Sequence, residues 1–84
     1  MTENERFHVF QFFPDGSYEK VRDYVLLPEA LEGFKHYCTS VGARIGTTVR
    51  VILVDMGDLV CAEWEFGKGL VYPTPAQEAP WRSN

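Results

Sequence analysis

Residues 6–25 read RFHVFQFFPDGSYEKVRDYV, and this stretch decides the fold because it contains two strand-like runs joined by a turn. Pro14 presets the backbone angle of the first turn position, and Gly16 can adopt the left-handed conformation that closes the turn. The pattern predicts a β-hairpin with a type I turn followed by a glycine bulge. A two-residue Asp15-Gly16 turn is the alternative, and it would slip the strand register by one residue.

The bulge register sorts the side chains of this hairpin onto two faces of a sheet. It pairs Phe12 with Tyr18, Phe10 with Lys20 and His8 with Arg22. One face then combines aromatic and basic side chains, namely His8, Phe10, Phe12, Tyr18, Lys20, Arg22 and Tyr24. The opposite face is expected to carry Phe7, Val9, Gln11, Glu19, Val21, Asp23 and Val25.

A helix is predicted to follow the first hairpin. Pro28 suits its first position, and Gly46 is a candidate for its C-terminal cap. Apolar residues continue at helical spacing between these points, so we expect one helix from Pro28 to Ile45, with a stop at Gly42 as the alternative. The expected buried stripe is Leu27, Ala30, Leu31, Phe34, Tyr37, Cys38, Val41 and Ile45.

A second hairpin is predicted from Thr48–Asp55 and Asp58–Phe66, with a turn at Met56-Gly57. A two-residue turn places Arg50 opposite Glu63, which is a favourable cross-strand pair. The expected core face is Val49, Val51, Leu53, Val60, Ala62, Trp64 and Phe66. The other face would hold Arg50, Ile52, Val54, Leu59, Cys61, Glu63 and Glu65, which is unusually apolar for a solvated surface.

These elements predict an α+β fold of order ββαββ. We expect a four-stranded, mainly antiparallel sheet with one long helix packed on one face, and residues 70–72 could add a short fifth strand. Residues 6–73 would form a single domain between a flexible N-terminus (1–5) and a flexible, proline-containing tail (74–84). Trp81 is the one candidate anchor in that tail.

Composition narrows the class of protein. The net charge of −4 gives no electrostatic footprint for duplex DNA or an anionic membrane. The N-terminus lacks the apolar segment of a signal peptide, and no apolar run has transmembrane length. Cys38 and Cys61 do not form a C-x-x-C pair, so we expect two buried, reduced thiols in a cytoplasmic protein.

No motif in the sequence predicts a catalytic, cofactor or metal site. Glu63 and Glu65 share one side of a strand, about 7 Å apart by strand geometry. An ion pair and a solvated carboxylate explain them better than acid–base catalysis does. His36 and Cys38 lie two apart on a helix and point in different directions, so they do not suit one metal ion.

Function is sought on the sheet face that a single helix leaves uncovered. Exposed apolar patches on small domains mark protein contacts, so the leading hypothesis is a non-enzymatic interaction module that forms a homodimer or binds a protein partner. The residues predicted to bind the partner are Phe10, Phe12, Tyr18, Lys20, Arg22 and Tyr24. The second hypothesis is single-stranded nucleic-acid binding by the same rings and cations, although the RNP1 signature is missing. A small enzyme subunit with an unrecognised site is the third.

Overall fold

The structure is a computed structural model, and it describes residues 5–73. The elements follow the order β1 (Phe7–Phe12), β2 (Tyr18–Val25), α1 (Leu27–Cys38), α2 (Val41–Ile45), β3 (Arg50–Asp55), β4 (Val60–Glu65) and β5 (Gly69–Tyr72). The flexible N-terminus predicted for residues 1–5 lies outside the described residues except for Glu5, and the flexible tail predicted for residues 74–84 lies outside them entirely.

The strands form one antiparallel sheet in the order β2-β1-β3-β4-β5, with a bent helix on one face. The predicted α+β fold is therefore confirmed, and the fifth strand that the sequence allowed is present. The two hairpins join through β1 and β3, which pair with Phe10 opposite Ile52. This junction places β1 and β3 side by side in the interior of the sheet.

The hydrophobic core lies between α1 and the sheet. Helix α1 crosses β2, β1 and β3, and it packs Ala30 and Phe34 onto inward-facing strand residues. The buried cluster consists of Phe7, Val9, Ala30, Phe34, Val51, Leu53 and Ala62. Neither described helix is long and apolar enough to cross a membrane.

The turn of the first hairpin has the predicted geometry. Gly16 adopts a φ of 89°, and its N–H donates to the Phe13 carbonyl at 2.9 Å. Phe12 pairs with Tyr18, and Phe10 pairs with Lys20. The bulge register is confirmed at this end of the hairpin.

Farther from the turn, the predicted pairing of His8 with Arg22 is wrong. The register between β1 and β2 shifts twice, so that Val9 pairs with Arg22 and Phe7 pairs with Val25. Each bulge adds a residue to β2 and re-aims the side chains beyond it. Side chains in this part of β2 therefore do not lie on the faces that simple alternation from the turn predicted.

Arg22 consequently lies on the helix side of the sheet and not on the predicted aromatic and basic face. Its guanidinium carbon is 5.8 Å from the Tyr37 ring centre, and its Nη1 donates to the Val21 carbonyl at 2.7 Å. A Cβ atom at Gly33 would lie 2.7 Å from Arg22 Cγ. The stem of Arg22 thus occupies space that only a glycine on α1 leaves free.

This contact makes the effect of Gly33→Ala depend on Arg22. Alanine normally stabilises a helix interior by about 1 kcal/mol over glycine. We expect Gly33→Ala to lower the free energy of unfolding by about 1 kcal/mol in the wild-type chain. The reason is that the steric clash of the new methyl group with Arg22 destabilises the fold more than the higher helix propensity of alanine stabilises it. In an Arg22→Ala background the same change should raise it. Urea unfolding of the four proteins measures both effects, and stabilisation in both backgrounds would place Arg22 away from α1.

The prediction of one continuous helix from Pro28 to Ile45 is wrong, because the helix is interrupted at Thr39 and Ser40. The chain is extended at Ser40 (ψ 167°), and the Ser40 hydroxyl accepts a hydrogen bond from the Ala43 N–H at 3.1 Å. The Thr39 hydroxyl donates to the Lys35 carbonyl at 2.9 Å. These side chains compete with helical hydrogen bonds, so they end α1 and begin α2.

The break turns α2 away from the core. Val41 and Ile45, which the predicted stripe placed inside, are 62% and 70% exposed. Gly46 adopts a φ of 89° at the end of α2, and its predicted role as the C-terminal cap is confirmed.

The second hairpin has a three-residue loop and not the predicted two-residue turn. The Asp55 N–H donates to the Leu59 carbonyl at 3.1 Å, and Asp58 takes the left-handed conformation with a φ of 63°. Asp55 Oδ1 accepts hydrogen bonds from the backbone N–H groups of Gly57 and Leu59. This carboxylate organises a loop in which Asp58 takes a left-handed conformation that glycine adopts most readily.

A register shift in β4 moves two side chains to unexpected faces. Leu53 pairs with Ala62, but Val54 pairs with Val60, so Cys61 is the extra residue. Cys61 packs against the core cluster, and Val60 lies on the opposite side of the sheet. The sequence predicted the reverse for both residues.

Candidate interaction surface

The sheet face opposite α1, which we call the uncovered face, carries a groove with a volume of about 280 Å³. Within residues 5–73 no helix packs on this face. Strands β1 to β4 and the β3–β4 loop line the groove, which we call the apolar groove. Its lining residues are Phe10, Phe12, Tyr18, Ile52, Val54, Asp58 and Val60.

Three aromatic rings form one wall of the apolar groove. The Tyr18 ring centre lies 5.7 Å from that of Phe10 and 5.5 Å from that of Phe12. Phe10 and Phe12 alternate on β1, and the confirmed turn register sets Tyr18 opposite Phe12. Tyr18 is 63% exposed, so a large part of this aromatic cluster faces solvent.

The other wall comes from β3 and β4. Ile52 lies opposite Phe10 across the central strand pair, and Val54 lies opposite Val60. Val54 is buried at the base, whereas Val60 is 36% exposed at the edge. The groove is therefore a concave apolar surface whose floor is already packed.

A cation stands at the rim on each side of the groove. Lys20 Nζ lies 5.7 Å from the Phe10 ring centre and 3.4 Å from Asp23 Oδ1. Arg50 Cζ lies 5.1 Å from the Phe12 ring centre. Each cation thus extends over a ring of the groove, a favourable contact for the quadrupole of an aromatic face.

The Arg50 guanidinium also forms the predicted ion pair with Glu63, at 2.7 Å between Nε and Oε2. The register assumed for that pair is wrong, because Arg50 lies directly opposite Glu65. The contact is diagonal, which long side chains can span between adjacent strands.

The structure brings together four of the six residues predicted to bind a partner. Phe10, Phe12 and Tyr18 line the apolar groove, and Lys20 stands at its rim. Arg22 lies on the helix side. Tyr24 is exposed outside the groove lining, and the Arg6 guanidinium lies 5.4 Å from its ring centre.

Sequence reasoning missed the contribution of the second hairpin to this site. The apolar character of Ile52 and Val54 on the predicted outward face was the available signal. No signal in the sequence placed Val60 on this face, because its position depends on the register shift at Cys61. Only the strand order, with β3 beside β1, shows that both hairpins build one groove.

A second, more polar groove of about 620 Å³ shares Arg50 with this region. It is lined by Val49, Arg50, Glu63, Glu65 and Phe66. Both carboxylates have cationic neighbours, since Glu63 pairs with Arg50 and Glu65 Oε1 lies 3.4 Å from Lys68 Nζ. Among the residues that the structure describes, no three His, Cys, Asp or Glu side chains could together hold a metal ion.

The two thiols are held in their protonated forms. Burial raises the pKa of Cys38 to about 12. Burial also raises the pKa of Cys61, with smaller contributions from the negative charges of Asp55 and Glu5. Since a thiolate is the nucleophilic form, neither environment activates its cysteine at neutral pH.

Comparisons of the chain with protein-family models, with curated proteins and with solved structures found no match in any of the three. The function is therefore argued from the geometry and chemistry of the uncovered face.

Proposed function

We propose that the chain is a non-enzymatic interaction module that self-associates through the uncovered face. The observation that supports this function most strongly is the apolar groove itself, a concave surface of aromatic and β-branched side chains on strands β1 to β4. Apolar surface left in water forgoes about 25 cal/mol per Å² that burial would provide. A second copy of the chain would bury it.

The size of the domain favours self-association. Small domains bury a low fraction of their surface, and oligomerisation is one way to extend a limited core. Two sheets can pack face to face at a spacing of about 10 Å, with side chains interdigitating between them. The exposed Tyr18 ring and the Val60 side chain are suited to that interdigitation.

The charges around the groove suit an interface with a two-fold axis. Such an interface brings the same surface of two copies together. The charges on each side of the groove must therefore be complementary to those on the same side or on the other side of the groove in the second copy. Lys20 lies beside Asp23 on one flank, and Arg50 lies beside Glu63 on the other. Because both signs occur on both flanks, opposite charges can meet across the axis without a second kind of chain.

Val60→Asp is expected to weaken self-association by about a hundredfold or more, because burying an unpaired charge costs several kcal/mol. The matched control is Leu59→Asp, since Leu59 is the preceding residue, is 69% exposed and does not line the apolar groove. Sedimentation of the full chain over a concentration series measures the dissociation constant, and circular dichroism checks the fold of both variants.

A monomeric mass for the wild-type chain up to about 1 mM, where binding free energy falls near 4 kcal/mol, would contradict self-association. Equal weakening by both substitutions would instead place the interface elsewhere. If the wild-type chain is monomeric but a different protein binds and protects Val60, the face is an interaction surface for that partner.

Single-stranded nucleic acid is the second candidate occupant, because Lys20 and Arg50 stand over the rings of Phe10 and Phe12. Bases stack on such rings while cations contact phosphates. The placement of Arg22 on the helix side leaves this surface with fewer cations than the sequence indicated. We expect an oligonucleotide titration at low salt to leave the amide shifts of Phe10, Phe12 and Tyr18 unchanged, and saturable shifts there would favour nucleic acid.

A further inference from the structure

We infer that two copies of the chain pack with their two-fold axis parallel to the strands and between β1 and β3, so that Lys20 of each copy pairs with Glu63 of the other. This inference rests on the proposed function. It adds the arrangement of the two copies and the residues that select that arrangement.

The cross-strand pairing places four side chains of the uncovered face in one row across the sheet. Phe10 pairs with Lys20 on one side and with Ile52 on the other, and Ile52 pairs with Glu63. From β2 to β4 the row therefore reads Lys20, Phe10, Ile52 and Glu63. It has a cation at one end, a carboxylate at the other and two apolar side chains of the groove between them.

An axis parallel to the strands makes this row complementary to itself. Rotation by 180° about such an axis between β1 and β3 keeps the row at the same level and exchanges its two ends. Lys20 then lies over Glu63 of the second copy, and Phe10 lies over Ile52 of the second copy. By symmetry each contact occurs twice, so opposite charges meet at both ends and apolar side chains meet in the middle.

Other axes bring the same side chains into unfavourable contacts. An axis across the strands at this row places Lys20 over Lys20 and Glu63 over Glu63, so like charges meet at both ends. An axis along β3 places Glu63 over Phe10, and an axis along β1 places Lys20 over Ile52. Like charges at close range and charges buried without a partner both oppose association. Among these four axes, only the one between β1 and β3 avoids both costs.

The neighbouring row of the uncovered face is compatible with the same axis. Phe12 pairs with Tyr18 and with Arg50, and Arg50 pairs with Glu65. The rotation places Arg50 over Phe12 of the second copy, a cation–ring contact like the one it makes with Phe12 of its own chain at 5.1 Å. Tyr18 lies over Glu65 of the second copy, whose carboxylate can accept a hydrogen bond from the phenol.

The intermolecular pair also extends the ion pairs within each copy. Lys20 Nζ lies 3.4 Å from Asp23 Oδ1, and Arg50 Nε lies 2.7 Å from Glu63 Oε2. Contact between Lys20 of one copy and Glu63 of the other therefore gives a series of four charges that alternate in sign. Each carboxylate and each cation in the series has a partner of opposite sign.

The expected crossing angle of the sheets leaves this contact within reach. Packed sheets cross at about 30°. Lys20 lies one and a half strand spacings from the axis, or about 7 Å. The crossing angle therefore moves Lys20 and Glu63 of the second copy out of superposition by only about 4 Å, which the flexible stem of lysine can span.

The first test reverses charges and measures the dissociation constant of the full chain by sedimentation. Lys20→Glu should raise it about tenfold, because carboxylates then face each other at both ends of the row. The matched control is Lys35→Glu, which makes the same change in net charge at an exposed position of α1, on the other side of the sheet. Equal constants for the two variants would overturn the arrangement.

Adding Glu63→Lys to Lys20→Glu exchanges the two charges and should restore most of the lost affinity. With an axis across the strands the exchange would leave like charges facing each other, so an absence of recovery would overturn the arrangement. Circular dichroism checks that the double variant folds, because the new lysine faces Arg50 of its own chain.

The second test needs no substitution. A carbodiimide joins a lysine amine to a carboxylate that it contacts. Within one chain Lys20 and Glu63 lie on strands three positions apart, a distance of about 14 Å, so they can be joined only between copies. We expect the covalent dimer of the wild-type chain to contain a Lys20–Glu63 linkage, identified by mass spectrometry of its peptides. Covalent dimers with other linkages alone would overturn the arrangement.

The arrangement and the proposed function fail on different results. A wild-type chain that stays monomeric up to about 1 mM overturns both. A wild-type chain that self-associates, in which Lys20→Glu behaves like Lys35→Glu and no Lys20–Glu63 linkage forms, overturns the arrangement and leaves self-association standing.

Discussion

Replacing Phe7 with Ala is expected to lower the free energy of unfolding by about 3 to 5 kcal/mol. Phe7 is fully buried and belongs to the largest such side chains in the structure. It lies on β1, between β2 and β3, beneath α1. A chain of 84 residues has a total stability of roughly 4 to 13 kcal/mol, so this one cavity should remove a large share of it.

The matched substitution for Phe7→Ala is Phe66→Ala. Phe66 is 47% exposed at the end of the second hairpin, so its loss should cost only about 1 kcal/mol. Urea unfolding followed by circular dichroism compares the two variants with the wild-type chain. Similar losses for both would mean that the core does not lie between α1 and the strands.

Gln11→Leu is expected to cost about 1 to 3 kcal/mol even though it adds apolar surface to the core. Gln11 is a buried polar residue on the helix side of β1, and its Oε1 accepts a hydrogen bond from the Thr48 hydroxyl at 2.8 Å. Its Nε2 donates to Glu19 Oε1 at 2.7 Å. The substitution leaves the hydroxyl of Thr48 buried without its partner, whereas Glu19 is solvent-exposed and is little affected.

The double variant Gln11→Leu with Thr48→Val separates this polar effect from packing. Replacing both partners by apolar groups can be nearly neutral, so we expect the double variant to regain most of the stability lost by Gln11→Leu alone. The backbone N–H of Thr48 keeps its bond to the Gly42 carbonyl in every variant. Additive losses in urea unfolding would show that the two side chains act independently.

Local chemistry made the class of fold and the first turn predictable. The Pro14-Asp15-Gly16 sequence favours a type I turn with a glycine bulge, and that turn sets Tyr18 opposite Phe12. The alternation of apolar residues then identified three of the residues that line the groove. These features depend on neighbours in the chain, which a sequence displays directly.

The remaining features depend on contacts between distant segments. The register shift that turns Arg22 toward α1 requires the space left by Gly33. No residue near Arg22 in the sequence indicates this shift. The shift at Cys61 likewise exchanges the faces of Cys61 and Val60. The helix break at Ser40 had a local signal, because serine is a strong N-cap, but the apolar stripe through Ile45 outweighed it in the sequence.

These register shifts change the character of the proposed interface. The sequence indicated an aromatic and basic surface on one hairpin. The structure combines Phe10, Phe12 and Tyr18 with Ile52 and Val60, and it moves one cation to the other side of the sheet. The resulting surface is more apolar and more balanced in charge, which favours a second copy of the chain over a polyanion.

The most direct measurement of the proposed interface is an isotope-filtered nuclear Overhauser experiment on a mixture of labelled and unlabelled full chains. It detects only contacts between different molecules. We expect contacts between the Tyr18 ring of one copy and the methyl groups of Ile52 and Val60 of the other. Intermolecular contacts confined to Val41 and Ile45 on α2, or none at all, would contradict self-association through the uncovered face.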